Sequence, residues 1–428
     1  MRKVISLYSG AGGLDLGLEA AGFDCGVAVE MDPDAVATLR ANRDWCVVDR
    51  SIHDVSSAEL LAMAQLHEGE ADLLAGGPPC QPFSKSGYWA RGDARRLADP
   101  RAATLDAYLR VLRDAKPKAF LLENVPGLAF SDKDEGLMLI RDTVERINRE
   151  VGTAYTVSAK QLNAVEYGVP QARERVFVVG HREGKPFQFP SPTHAKPPRA
   201  DMANGEVRQP NLPIPGLLPP ATAWDALCGV DEDDDPDLLP RGRWADLLRT
   251  IPEGQNYLFH TERGGGSPIF GWRRHFWSML LKLAKNRPSW TLTAQPGPAI
   301  GPFHWKSRRL SANELCALQT FPKGYRIVGG VAAAHKQVGN AVPSAMAEIL
   351  GLAIRKQLLG DVKADPRRPT LLPARQETVP APEIPLPVTQ DKYLRLIGNH
   401  SPHPGTGKGR GALARMTAEH GLSAQGAA

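Results

Sequence analysis

The chain has 428 residues, 52 lysines and arginines against 47 acidic residues, and 42% apolar residues, the make-up of a soluble protein of two or three domains. No run reaches the ~18 apolar residues of a membrane span, and the apolar stretch after Arg2-Lys3 ends at Ser9-Gly10, too early for a signal-peptide core. The five cysteines (25, 46, 80, 228 and 316) contain no Cys-x-x-Cys pair, which excludes a disulfide framework and a Cys-rich zinc site and predicts a reduced, cytoplasmic setting.

The first half alternates short apolar runs with helical patterns. Val4–Tyr8 reads as a strand, followed by a Gly-rich turn and a helix near Leu14–Ala21. Cys25–Val29 reads as a second strand, and Pro33–Ala41 as a helix with proline in its first turn. Asp72–Ala75, Ala119–Leu122, Tyr155–Ala159 and Val176–Val179 are further strand candidates, with helices over Ala103–Ala115 and Glu135–Val151. Strands separated by helices predict an α/β fold: a mostly parallel sheet with helices on both faces. Residues 186–220 are rich in proline and lead to the acidic run Asp231–Asp235, which marks entry into a smaller, irregular domain. Periodicity returns at Ser311–Phe321, where Ser311 and Glu314 fit a capping box, and a long helix is expected around Pro343–Leu359. The proline-bearing stretch from Asp361 reads as a linker or disordered tail. The expected division is a first catalytic part (1–183), a recognition domain (184–305), a returning catalytic part (306–360) and the tail (361–428).

In an open parallel sheet, ligands bind outside the carboxyl ends of the strands. Strand one here ends in Ser9-Gly10-Ala11-Gly12-Gly13, strand two in Glu30, the third in Gly76-Gly77-Pro78-Pro79-Cys80-Gln81, and the fourth in Glu123-Asn124. The glycine turn lets backbone approach a ligand, but Asp15 stands where the dinucleotide fingerprint needs its last glycine, so a nucleoside without phosphates fits better. Glu30 follows Gly10 by 20 residues, where a carboxylate can accept ribose hydroxyls; a tight turn with a surface Glu has the same spelling. The Pro-Pro turn is stiff and would hold the Cys80 thiol in place, which favours a nucleophile over a small buried hydrophobe. Gln171, Arg173 and Arg175 alternate at a strand entry, so a period of two would put all three on one face, toward a polar ligand or outward from an edge strand.

From Arg241 to Arg309 nine arginines and three lysines face only Asp246, Glu253 and Glu262, and five of the eight tryptophans lie there. Basic and aromatic residues so interleaved suit a polyanion with accessible bases; a solvated basic face over a Trp-rich core fits as well.

At these residues the sequence resembles the DNA cytosine-5 methyltransferases, which depend on S-adenosylmethionine (AdoMet). Leu7-Tyr8-Ser9-Gly10-Ala11-Gly12-Gly13, Glu30, the segment 76–87 (GGPPCQPFSKSG), Glu123-Asn124-Val125, Gln171–Arg175, the segment 309–322 (RLSANELCALQTFP) and the segment 337–343 (QVGNAVP) are similar to the family's motifs, in the family's order. The resemblance implies the AdoMet-dependent methyltransferase fold with a small target-recognition domain. It implies Cys80 as nucleophile, Glu123 as the acid at the cytosine ring, Arg173 at the cytosine carbonyl oxygen and Arg175 as support for the loop. Cofactor contacts are implied for Tyr8, Ser9, Gly10, Ala11, Gly12, Gly13, Leu14, Glu30, Met31, Pro79, Asn340 and Ala341. The adenine-contacting Asp is matched to Asp54, with Asp49 as the alternative, and Val55 is implied as a further cofactor contact. Segment 87–101, with Trp89, Arg91, Arg95 and Arg96, looks like the family's mobile catalytic loop.

The implied macromolecular partner is duplex DNA, contacted by Gln81, Ser84, Arg273, Arg274, Lys282 and Arg308, with a target base flipped out of the stack. A monomer, no membrane and no metal are implied, and a cognate restriction endonuclease acting separately is left open. A branch of this fold methylates a tRNA cytosine and carries Cys-Phe-Thr in its recognition region; here Cys228 is followed by Gly229. An inactive relative should lack the Cys or the Glu, and a nicotinamide oxidoreductase is disfavoured by Asp15.

Overall fold

A computed structural model describes residues 2–79, 103–129, 135–197, 215–231, 235–262, 264–270 and 277–398. Cys80, Gln81, Ser84, Arg273, Arg274 and the segment 87–101 lie outside the described residues. Strands β1 (Arg2–Leu7), β2 (Phe23–Val29), β3 (Val47–Val48), β4 (Leu73–Gly76), β5 (Ala119–Asn124), β6 (Ser158–Asn163) and β8 (Glu174–His181) form one sheet in the order β3-β2-β1-β4-β5-β8-β6. The two-residue strand β7 (Gln171–Ala172) pairs separately with β9 (Ser289–Trp290). Helices α1 (Gly13–Ala20), α2 (Pro33–Asn42), α3 (Ser57–Met63), α4 (Ala103–Ala115) and α5 (Glu135–Val151) alternate with the strands of the first half. Then come α6 (Ala223–Leu227), α7 (Ala312–Leu318), α8 (Val331–Asn340), α9 (Ser344–Gln357) and the short α10 (Asp391–Leu394).

The register explains how the rim is assembled. β1, β2, β4 and β5 are parallel, with Leu7 opposite Val29 and Gly76, and Gly76 opposite Leu122. The residues that follow, Tyr8, Glu30, Gly77 and Glu123, therefore leave the sheet at one level. β8 runs antiparallel to β5, pairing Asn124 with Val176, so its first residues rather than its last reach that rim. The central strands are buried on both faces, which is why they read as continuous apolar runs.

Two apolar layers cover the sheet. Ile5, Leu7 and Leu74 pack with α3, α4 and α5 on one side, while Val4, Leu73 and Ala75 pack with α1 and α9 on the other. The alternation along β1 is the period of two of a pleated strand. The chain thus leaves the sheet after β8 and returns through α9, which lies against α1. This contact is tight: a Cβ on Gly17 would sit 2.1 Å from the Ser344 carbonyl oxygen. No helix among the described residues is long and apolar enough to cross a membrane.

Two expectations are corrected. The strand expected at Tyr155–Ala159 is displaced to Ser158–Asn163, an edge strand with Lys160 and Gln161 exposed, whereas Tyr155 is anchored by its hydroxyl to the Pro117 carbonyl at 2.6 Å. The stretch after Asp361 is not loose through residue 398. Glu348 of α9 accepts from the Thr370 and Leu371 amides at 2.7 and 2.9 Å, and Tyr393, 2% exposed, joins the apolar core built by Leu247, Ile251, Tyr257, Phe270 and Phe303. Residues 399–428 lie outside the described residues.

Overpacking the α1–α9 contact should be costly. Gly17→Val is expected to destabilise the chain by about 3 kcal/mol, read as a lowered midpoint in chemical denaturation; an unchanged midpoint would show that the helices can separate freely.

Candidate functional site

A cleft of about 520 Å³ opens at the carboxyl rim of the parallel strands. The first turn contributes Tyr8, Ser9, Gly10, Gly13 and Leu14, the second strand Glu30 and Met31, the third Gly77, Pro78 and Pro79, and the fourth Glu123, Asn124 and Val125. Arg175 comes from the start of β8, and Asn340, Ala341 and Val342 from the returning chain. Ala11 and Gly12 do not line it: Ala11 is buried, and Gly12, at φ +81°, packs toward Leu39 and Tyr325 while it starts α1.

Glu30 holds the glycine turn. Its Oε2 accepts from the Gly10 amide at 2.7 Å, and its Oε1 from the Met31 and Asp32 amides at 2.8 and 2.7 Å. A carboxylate has about four acceptor directions, so with three amides bonded Glu30 keeps an acceptor direction open. Met31 beside it is 67% exposed and offers an apolar flank.

Beneath the turn lies Asp15, which is buried and faces the Ser6 and Ser9 hydroxyls; burial pushes its pKa up to about 6. An ionised carboxylate under the turn would repel a pyrophosphate, which gives the broken fingerprint a physical meaning.

The acid and its partner sit at the opposite wall. Glu123 is 8% exposed, and its Oε1 meets Arg175 Nε at 2.8 Å. Gly77 passes so close that a Cβ there would lie 2.9 Å from Glu123 Oε2. Asn124 donates to the Pro78 carbonyl at 3.3 Å and accepts from the Val125 amide at 2.7 Å. Thr104, at the start of α4, donates to the Pro79 carbonyl at 3.3 Å, and Tyr8 donates to the Thr104 carbonyl at 2.6 Å. The turn that leads directly into Cys80 is thus tied to β5 and to α4.

The alternating arginines do not act together. Gln171 belongs to β7 and Arg175 to β8, and the sheet is interrupted at Arg173 between them. Arg173 is 1% exposed and absent from the cleft. It donates to the Gly339 and Asn340 carbonyls at 2.9 and 3.2 Å and to the Leu292 carbonyl at 3.5 Å, and burial drives its guanidinium pKa down. The positions are therefore the reverse of the expectation: Arg175 faces the cleft and Arg173 braces its wall.

Gln319, which sequence reasoning did not single out, completes the brace. It donates to the Val338 and Ala341 carbonyls at 2.7 and 3.2 Å and accepts from Gln171 at 3.1 Å. A helix end leaves its last carbonyls without partners; here an arginine and an amide cap three of them, at 338–340, and the Ala341 carbonyl just beyond. The segment so fixed carries Asn340 and Ala341 into the cleft.

Other expected residues fall elsewhere. Asp54 is exposed at the end of a 3-10 turn (Ile52–Asp54) and Val55 is buried; neither lines the cleft. Asp49 pairs with Arg40 at 3.1 Å. Ser51, Ile52 and His53 line that wall instead, opposite Asp32, which is ion-paired with Lys336. Lys282 is 2% exposed and donates to the Ile251 carbonyl at 2.9 Å; Arg308 reaches both Glu314 oxygens at 2.8 and 2.7 Å. Both are turned inward onto protein acceptors, contrary to their expected place as DNA contacts. The basic count failed here because it cannot see buried acceptors.

Residues 2–213 and 273–356 match the C-5 cytosine-specific DNA methylase family. The chain belongs to this family. It is 38% identical over 381 residues to the Type II methyltransferase M.SacI of Streptomyces achromogenes, an alignment covering 83% of this chain and 93% of that protein. It is 42% identical over 234 residues to the Type II methyltransferase M.AquIA of Picosynechococcus sp., covering 53% of this chain and 92% of that one. Among solved structures, a DNA modification methyltransferase encoded within a prophage (E. coli) superposes with a TM-score of 0.55 at 21% identity, covering 84% of this chain and all of that one. The methyltransferase EhMeth of Entamoeba histolytica gives 0.54 at 15% identity, covering 83% and 98%. These structures share the AdoMet-dependent fold.

The family and the fold imply AdoMet, and the cleft fits it. The donor is a nucleoside with a sulfonium and no phosphate. Glu30 offers one acceptor, Met31 an apolar flank, and Asp15 a carboxylate beneath the turn, a set suited to a cation and unsuited to a pyrophosphate.

Asp15 gives a pH test. An acid with a raised folded-state pKa supports the fold while protonated and loses that support as pH rises from about 3.8 to about 6. Asp15→Asn stays neutral, so relative to wild type it should gain stability across that window. The gain should reach at most roughly 3 kcal/mol above it. Thermal melts at pH 4 and pH 8 check this; an equal difference at both pH values would contradict it.

Proposed function

We propose that the enzyme transfers a methyl group from AdoMet to carbon 5 of a cytosine flipped out of duplex DNA, through a transient bond to Cys80. The observation that carries this reading is the buried Glu123–Arg175 pair in the same cleft as the glycine turn and Glu30, closed on one side by the Pro78-Pro79 turn that precedes Cys80. A base inside a duplex cannot present its ring atoms to side chains at the sheet rim, so the target must leave the stack, at a few kcal/mol.

Carbon 5 of cytosine is a poor nucleophile. Addition of the Cys80 thiolate to carbon 6 forms a carbon–sulfur bond and pushes the ring electrons toward carbon 5 and nitrogen 3. Glu123 would share a proton with nitrogen 3 and so offset the charge that collects there. Arg175, ion-paired with Glu123, is placed to meet the ring carbonyl oxygen. When bound, AdoMet would supply an electrophilic methyl group to carbon 5, its bond to sulfur breaking as the new carbon–carbon bond forms and the neutral thioether leaving. Loss of the carbon-5 proton to a base then returns the electron pair to the ring and expels Cys80. Arg173 and Gln319 take no part in these steps; they fix the wall carrying Asn340. The names of the relatives, both Type II methyltransferases, favour duplex DNA over RNA and leave room for a separate restriction endonuclease.

Two measurements test the reaction. Cys80→Ser should lose methyl transfer by at least 1,000-fold, on the order expected for a covalent nucleophile, yet keep DNA affinity; retained turnover would exclude the covalent route. Duplex DNA with 5-fluorocytosine in place of cytosine should form an adduct stable to denaturing gels when AdoMet is present, because the proton needed for elimination is missing. Absence of that adduct, or methylation of tRNA but not duplex DNA, would overturn the proposal.

A further inference from the structure

The family match ends at residue 356, but the described chain continues to 398 and packs along the molecule. Three buried carboxylates mark its course. Glu348 of α9, 1% exposed, accepts from the Thr370 amide and hydroxyl at 2.7 and 2.8 Å and from the Leu371 amide at 2.9 Å. Asp225 of α6 accepts from the Gln376 amide at 2.8 Å and from Arg375 at 3.1 Å. Glu253 accepts from the Glu383 amide at 2.8 Å. The segment then ends on the recognition region: Tyr393 stacks on Trp244 with ring centroids 6.0 Å apart and donates to the Arg243 carbonyl at 2.9 Å. Lys392 is ion-paired with Asp246 at the surface.

Burying a carboxylate is costly unless it is bonded. The bonds to Glu348 come from this segment. Seven prolines between 366 and 387 stiffen the path and lower the entropy lost in fixing it. A stiff span bonded at one end to helix α9, which packs on the sheet, and at the other to the core around Trp244 fixes the distance between them.

We propose that residues 361–397 are a positioning strap that sets the recognition region over the cofactor cleft, so that productive engagement of duplex DNA depends on it. This rests on the DNA reading above. The strap's anchoring hydrogen bonds go to Glu348, Asp225, Glu253 and the Arg243 carbonyl, none of which lines the cleft, so its effect is expected on the macromolecular substrate and not on the methyl donor.

The test uses the full chain, plasmid DNA, tritiated-methyl transfer and equilibrium binding of AdoMet without DNA. Tyr393→Ala should raise KM for plasmid about tenfold with kcat and AdoMet affinity within about twofold, and Tyr393→Phe, which keeps the stack, should restore most of it. Should Tyr393→Ala not fold, the exposed pair serves: Lys392→Glu should raise KM about threefold, and the swap Lys392→Glu with Asp246→Lys should recover it. An unchanged KM in variants with a lowered melting temperature would make the strap plain packing and overturn the proposal. Equal losses of AdoMet and DNA binding would overturn it too. Wild-type chain that methylates no plasmid would instead overturn the DNA reading, and the strap proposal with it.

Discussion

The site depends on one constraint, the common level at which parallel strands end. Leu7, Val29, Gly76 and Leu122 lie side by side across the sheet, so the next residue of each chain is released at the same edge. A one-residue slip in any pair would turn its side chains to the other face. The antiparallel β8 obeys the same rule in reverse and delivers Arg175 from its beginning, onto Glu123. Glycine at 77 lets the turn before Cys80 pass against that carboxylate.

Support comes from outside the sheet. The carbonyl end of α8 would be an unpaired, electronegative helix terminus. Arg173 and Gln319 convert it into a rigid wall, and Gln171 links the same brace to the backbone at Leu292 through its amide at 3.1 Å. The backbone at Leu292, the strand entry at Gln171 and Arg173 and the wall of the cleft thereby share one buried polar network, satisfied largely by backbone carbonyls.

Much of this was legible in the sequence. The helices at Ala103–Ala115 and Glu135–Val151, the capping box of Ser311 and Glu314, and the rim turns follow from apolar period, cap chemistry and glycine placement. What was not legible has a common cause. Periodicity assumes an unbroken element, and the interruption between β7 and β8 sends Arg173 and Arg175 to different partners. Counting charge ignores acceptors, so Lys282 and Arg308 read as ligands for phosphate while they serve Ile251 and Glu314. The proline-bearing segment after 361 reads as a linker because its anchors, such as Thr370 and Tyr393, are single residues without a period.

The chain's return has a consequence for biosynthesis. The Tyr325 hydroxyl donates to the Ala11 carbonyl at 2.9 Å, and Thr38 to Gln337 at 2.7 Å, across separations of 314 and 299 residues. Such closures are slow because the intervening chain must first be ordered. While translation proceeds, the face of α1 meant for α9 stays bare until that helix, more than 300 residues further along, has left the ribosome. The nascent first half therefore carries an exposed apolar surface until that late contact forms, an interval in which it is open to aggregation.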